Sequence, residues 1–280
     1  MRLAITIAAV TATLGVGCLA AGAAAAAPSV EIRDAVARVT VIPEDRADIK
    51  VEMLTVNRAL PLDVRVEGAR TVISGDLRHR IHSCHASGDH PVASVGGVGR
   101  VDFKDMPQVV IHTPKDVDVE AGGQVIGVVG RSGSLMLSNS GCSAWTIADV
   151  AGAAHLHNSG VGMVRMGSAA QLDAHVSGTG EVHVNRVGGL DLSISGAGGM
   201  TINELTGPMH AQVSGAGKVK VLDGNAGAVH ATISGAGGID FGGKAESLDA
   251  QISGIGSVRV KQVTGSVTKS VSGIGRVTVG

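Results

Sequence analysis

The sequence predicts an all-β fold: a single-stranded parallel β-helix of about 19-residue coils, with a β-rich N-terminal capping region. Three observations carry this. Ser-Gly-x-Gly recurs at Ser159, Ser177, Ser195, Ser214, Ser234, Ser253 and Ser272, with successive gaps of 18, 18, 19, 20, 19 and 19 residues. Apolar and polar residues alternate on both sides of each copy. The composition is rich in glycine (42 of 280 residues) and almost free of rings, with one Trp, two Phe and no Tyr.

The repeat fixes which way each side chain points. A degenerate copy at Ser140 adds one more coil upstream. Five residues before the serine stand Leu135, Ala154, Leu172, Leu190, Met209, Val229, Leu248 and Val267. Three before it stand Leu137, Leu156, Ala174, Leu192, Ala211, Ala231, Ala250 and, out of pattern, Lys269. The position between these two is mostly polar, which is the period of a strand with one face buried. A second strand follows the corner, with inward pairs such as Val182 and Val184, Val219 and Val221, and Val258 and Val260. Nineteen residues is too short for a βαβ unit. Stacked coils about 4.8 Å apart pair their strands in parallel instead. The handedness of parallel crossovers predicts a right-handed winding. The x position of the corner (Cys142, Val161, Thr179, Ala197, Ala216, Ala236, Ile255, Ile274) is small or apolar and is expected to turn inward.

Upstream, Val39 and Val41, then Ile49, Val51 and Met53, then Leu62, Val64 and Val66 alternate with polar residues but lack the repeat. The expected division is a signal peptide over 1–26, a β-rich cap over 27–106 that covers the first coil, and the β-helix over 107–280. The signal reading rests on Arg2, an apolar stretch from Leu3 to Ala21 and small residues before Ala27. Cys18 offers a second cleavage mode, that of a lipoprotein. No cap comparable to the N-terminal one follows Gly280, so the last coil is expected to be exposed or to pair with another chain.

The coils "VSGTGEVHV", "ISGAGGMTI", "VSGAGKVKV", "ISGAGGIDF", "ISGIGSVRV" and "VSGIGRVTV", behind a signal-like segment, resemble the head GIN domain family of autotransporter adhesins. The resemblance covers residues 107–280 well and 29–106 loosely. It implies a parallel β-helix in an exported bacterial protein and transfers no catalytic residues. No autotransporter barrel or membrane-anchoring tail is visible in the sequence.

Candidate chemistry is sparse. A net charge of −1 gives no electrostatic footprint for nucleic acid or anionic membrane. The outward stripe Asp173, Asp191, His210, His230 and Asp249 brings two carboxylates about 5 Å apart, near the separation in a retaining glycosidase. Any stacked stripe with two acids gives that distance, however, and the aromatic platforms of sugar sites are lacking. His210, His230 and Asp249 also form a weak metal candidate. A second one is His79, His82, Cys84, His85 and His90, dense in imidazole and thiol but matching no structural zinc spacing. Cys84 and Cys142 are the cysteines left after a signal cleavage. In an oxidising compartment they can form a disulfide closing a loop of 142 − 84 = 58 residues, or Cys142 can stay a buried thiol. The repeated serines are corner residues, and the Gly-x-Gly pieces open no helix, so no phosphate loop or cofactor is expected.

These observations favour a non-enzymatic exported binding, adhesion or envelope scaffold, periplasmic, outer-membrane-associated or extracellular. An envelope protein or a surface glycan is its expected partner. Two alternatives remain: a polysaccharide-acting enzyme centred on the Asp stripe, and a structural protein that self-associates through its C-terminal coil.

Overall fold

A computed structural model of the chain describes residues 26–86 and 91–280. All of the signal-like segment except Ala26 lies outside them, as do Cys18 and His90. The described chain is a β-solenoid whose consecutive coils pair in parallel, and it contains no α-helix among the described residues. The alignment on serine is the physical register. Leu172, Leu190, Met209, Val229, Leu248 and Val267 are successive partners in one inward column. Val182, Met200, Val219, Ile239, Val258 and Val277 form another. The inward columns merge into one continuous core, in which Trp145 and Phe241 are the largest buried side chains. Gly127 leaves the space that the Trp145 indole fills from the next coil, since a β-carbon there would collide with the ring.

The corner is built the opposite way from the sequence expectation at its x position. Val161, Ile255 and Ile274 point into solvent, with 56%, 67% and 83% of their surface exposed. Thr179, Ala197, Ala216 and Ala236 are exposed as well. The glycines explain why. A β-carbon on the first glycine of each corner would run into the carbonyl oxygen of the equivalent glycine one coil earlier, as at Gly196 on Gly178 and Gly235 on Gly215. The second glycine is the one that faces inward. Gly217, Gly237 and Gly256 each lie on the β-branched residue that precedes the corner in the coil before, namely Ile194, Val213 and Ile233. With both glycines held against the previous coil, the residue between them is left pointing out. The corner serines are exposed, and some hydroxyls donate to the neighbouring coil's backbone rather than to each other: Ser159 Oγ reaches the Asn139 carbonyl at 3.3 Å.

Strand β1 (Ser29–Glu44) departs from the expected boundary at 106/107. It is a coil within the stack. On one side it pairs in parallel with β4 (Arg70–Ser74) and β8 (Gln108–Pro114), and on the other with β9 (Asp116–Val129). Its corner is Asp34 with φ 49°, a conformation Asp tolerates, so no Ser-Gly-x-Gly marks it. Strands β2 (Lys50–Thr55) and β3 (Asp63–Glu67) run antiparallel against β8 and β4 and cover that edge of the stack. Between β4 and β8 the chain makes an excursion with a small antiparallel sheet, β5 (Ile81–His85), β6 (Val92–Val95) and β7 (Gly99–Asp102). A satellite core of Val36, Leu60, Leu77, Ala93, Val95, Val101 and Met106 holds this excursion against the solenoid. Fully buried Gln124 donates from Nε2 to the Val92 carbonyl at 2.9 Å, and a Cys84–Cys142 disulfide fastens β5 to a corner. Cys142 is thus the x residue that the excursion covers, while its counterparts further along lie open.

Candidate functional site

Two outer surfaces carry polar side chains at coil spacing. The first precedes the corners and holds the predicted stripe. Asp173, Asp191, His210, His230 and Asp249 are successive register partners, with His155 before them. They do not converge on a common point. Asp173 lies between two imidazoles, His155 Nδ1 at 3.4 Å and His175 Nδ1 at 3.2 Å. His157 stacks on His175 and His210 on His230, with ring centroids 5.0 and 4.6 Å apart. His230 Nδ1 lies 3.8 Å from Asp249. Asp173, His210, His230 and Asp249 therefore contact neighbours along the solenoid axis, while Asp191 stays exposed, and the stripe lines no enclosed cleft around a substrate.

No three His, Cys, Asp or Glu side chains among the described residues come close enough together to hold a metal ion. His79, His82 and His85 are exposed on the excursion. The sulfur of Cys84 is bonded to Cys142 and is not available as a thiolate ligand. His90 falls outside the described residues.

The second surface follows the corners and was not singled out as a site by the sequence. Its two outward columns are Lys218, Gly238, Ser257, Arg276 and Lys220, Asp240, Arg259, Thr278, each fixed by the parallel register. Small residues at Gly238 and Ser257, beside the buried Gly237 and Gly256, leave a trough between Lys218 and Arg276, the long side chains of the same column. Ile255 and Ile274 stand along one side of it, and the Lys220–Arg259 column along the other. The result is a groove of about 960 Å³. Its charged side chains are four cations and one acid, 4 − 1 = +3, in a chain whose net charge is −1. Lys218, Lys220, Arg259 and Arg276 make no ion pair shorter than 4 Å among the described residues, although Asp240 lies between Lys220 and Arg259 in the column. The signal for this groove exists in the sequence only once coils are aligned, because its ends are 278 − 218 = 60 residues apart.

The groove falls within the part of the chain that is similar to a known family. Residues 187–280 match the family "Putative auto-transporter adhesin, head GIN domain". That match spans a third of the chain and is shorter than the resemblance expected from residue 107 onward. No curated protein matches the chain. Among solved structures, a "putative adhesin" from Parabacteroides distasonis is 15% identical with a TM-score of 0.51, over 92% of this chain and 94% of its own. A "putative adhesin" from Bacteroides fragilis is 18% identical with a TM-score of 0.46, over 90% and 92%. At 15% identity the first of these likenesses extends to the fold alone, so what the C-terminal coils do must be argued from their own surface.

Proposed function

We propose that the chain is a non-enzymatic, exported binding module, an adhesion or cell-envelope scaffold that holds its ligand on the outer face of the C-terminal coils. The open groove between Lys218 and Thr278 is the observation that carries this reading. A rigid stack of paired strands gives that face a fixed shape, so little ordering cost is added when a ligand settles on it. The polar stripe on the other face supports the non-enzymatic part, because Asp173 and Asp249 lie against histidines and the stripe runs from coil to coil rather than converging on a common reacting atom. The family match over 187–280 supports an exported or surface location.

Saturation binding tests the proposal. Labelled full-length protein is titrated onto intact cells and onto isolated envelope material of the native host. Saturable binding that unlabelled protein displaces supports a binding module. Linear, non-displaceable uptake on both materials contradicts it. Fractionation of the same cells checks export: recovery of the mature protein in the cytosol would overturn that part.

A further inference from the structure

We infer that the groove on the last coils binds a linear anionic polysaccharide, one carrying carboxylate or sulfate groups along its length, lying parallel to the solenoid axis. The inference rests on the groove's being the binding surface and adds the ligand's class and direction.

The direction follows from the floor and walls. Gly237 and Gly256 form the floor coil after coil, and Ile255 and Ile274 continue one wall from coil to coil. The trough therefore runs across the strands, along the axis. The cations are spread in the same direction. Lys220 and Arg259 are two coils apart, about 10 Å, and Lys218 and Arg276 three coils apart, about 14 Å, at a strand spacing near 4.8 Å. A compact anion would reach one end of this array. A ligand with charges at intervals reaches both, and its negative groups match the +3 of the lining.

The floor also discriminates against an acidic peptide. Peptides usually bind a sheet by adding a strand, which needs free backbone donors and acceptors. Here the amides are already spent between coils: Gly238 N–H donates to the Gly217 carbonyl, Ser257 to Gly237 and Arg276 to Gly256, at 3.1, 3.2 and 3.1 Å. A sugar chain needs no such ladder. Its apolar ring faces can lie on Ile255 and Ile274, while its hydroxyls meet Ser257 and Thr278. A flat anionic membrane would touch the protruding isoleucines but leave the recessed glycine floor unfilled.

The test uses the full chain and four probes: polygalacturonate, heparin, neutral dextran of matched length and poly-glutamate, with phosphatidylglycerol vesicles in parallel. Polygalacturonate or heparin is expected to bind with an affinity that falls steeply with salt, and dextran is expected not to bind. The double variant K220A/R259A should weaken binding at least tenfold with an unchanged circular dichroism spectrum and melting temperature. His210→Ala on the other face should leave it unchanged. Equal binding of dextran, tighter binding of poly-glutamate or of vesicles, or an equal loss in His210→Ala would each overturn the inference. If no anionic polysaccharide binds while the protein still saturates on host envelope material, the ligand class is wrong and the binding-module reading stands. If neither binds, both fall.

Discussion

Gly256 of one coil lies directly on Ile233 of the coil before it: a β-carbon added to the glycine would come within 2.6 Å of Ile233 Cγ2 and 3.0 Å of the Gly237 carbonyl oxygen. One neighbour is a methyl group and the other is backbone, so relief requires the coils to separate. Gly256→Ala should therefore destabilise the protein by about 1–3 kcal/mol, the usual cost of overpacking. Pairing it with Ile233→Ala should give a smaller loss than the sum of the two single changes. Denaturant melts of the three variants check this, and strict additivity would show that the two residues do not oppose each other.

The excursion between β4 and β8 is fastened by the Cys84–Cys142 disulfide, which closes a loop of 58 residues. On the chain-entropy account such a link stabilises by about 4 kcal/mol. Cys84→Ser is expected to lower stability by up to that amount and to speed amide exchange over residues 77–107 well before the coils from 160 onward. Titration of the unfolded, unreduced protein should find neither Cys84 nor Cys142 as a free thiol. Two free thiols from these positions would contradict the link.

Glu31 accepts hydrogen bonds from Arg33 Nε at 2.6 Å, Arg33 Nη2 at 2.9 Å and Arg70 Nη1 at 3.0 Å, with 11% of its side chain exposed. The Arg33 hydrogen bonds, and after them the Arg70 contact, hold its carboxyl below the ordinary value of 4.5 against the opposing effect of burial. A carboxyl lowered on folding stabilises the native state above its unfolded pKa and loses that contribution as pH falls through the folded value. Glu31→Gln should thus cost roughly 1.5–3 kcal/mol at pH 7. The gap to the parent should begin to close below pH 4.5. Thermal melts from pH 7 to 3 read it out, and a pH-independent gap would rule the ion cluster out as its source.

Lys269 occupies an inward column whose earlier members are Leu192, Ala211, Ala231 and Ala250. Its ammonium lies 3.4 Å from the Val277 carbonyl, and residues 267–271 are all exposed. A charge in that column penalises stacking of a further coil on this edge. Lys269→Leu should make sedimentation concentration-dependent, with faster species appearing as protein is added. An unchanged profile would mean that the lysine is not what holds the edge apart.

The coils were legible in the sequence because one constraint repeats. Ser177, Ser195 and Ser214 mark corners at fixed spacing, and Leu172, Leu190 and Met209 follow from period two. What was not legible lies where the constraint changes form. Asp34 makes a corner without glycine, so β1 gave no sign that it enters the stack between β8 and β9. The outward turn of Ile255 and Ile274 is decided by glycine contacts with the preceding coil, which a hydropathy pattern does not contain. The groove escaped for a related reason. Lys218, Arg259 and Arg276 are ordinary surface charges until the register brings them onto one face.

The most direct measurement is the saturation binding of the full chain to native envelope material, with the parent and the charge-reversed K220E/R259E compared at equal folding. The parent should give a displaceable, saturable isotherm and the variant one at least tenfold weaker. Identical isotherms for the two, or no saturation in either, would contradict a binding module that works through this groove.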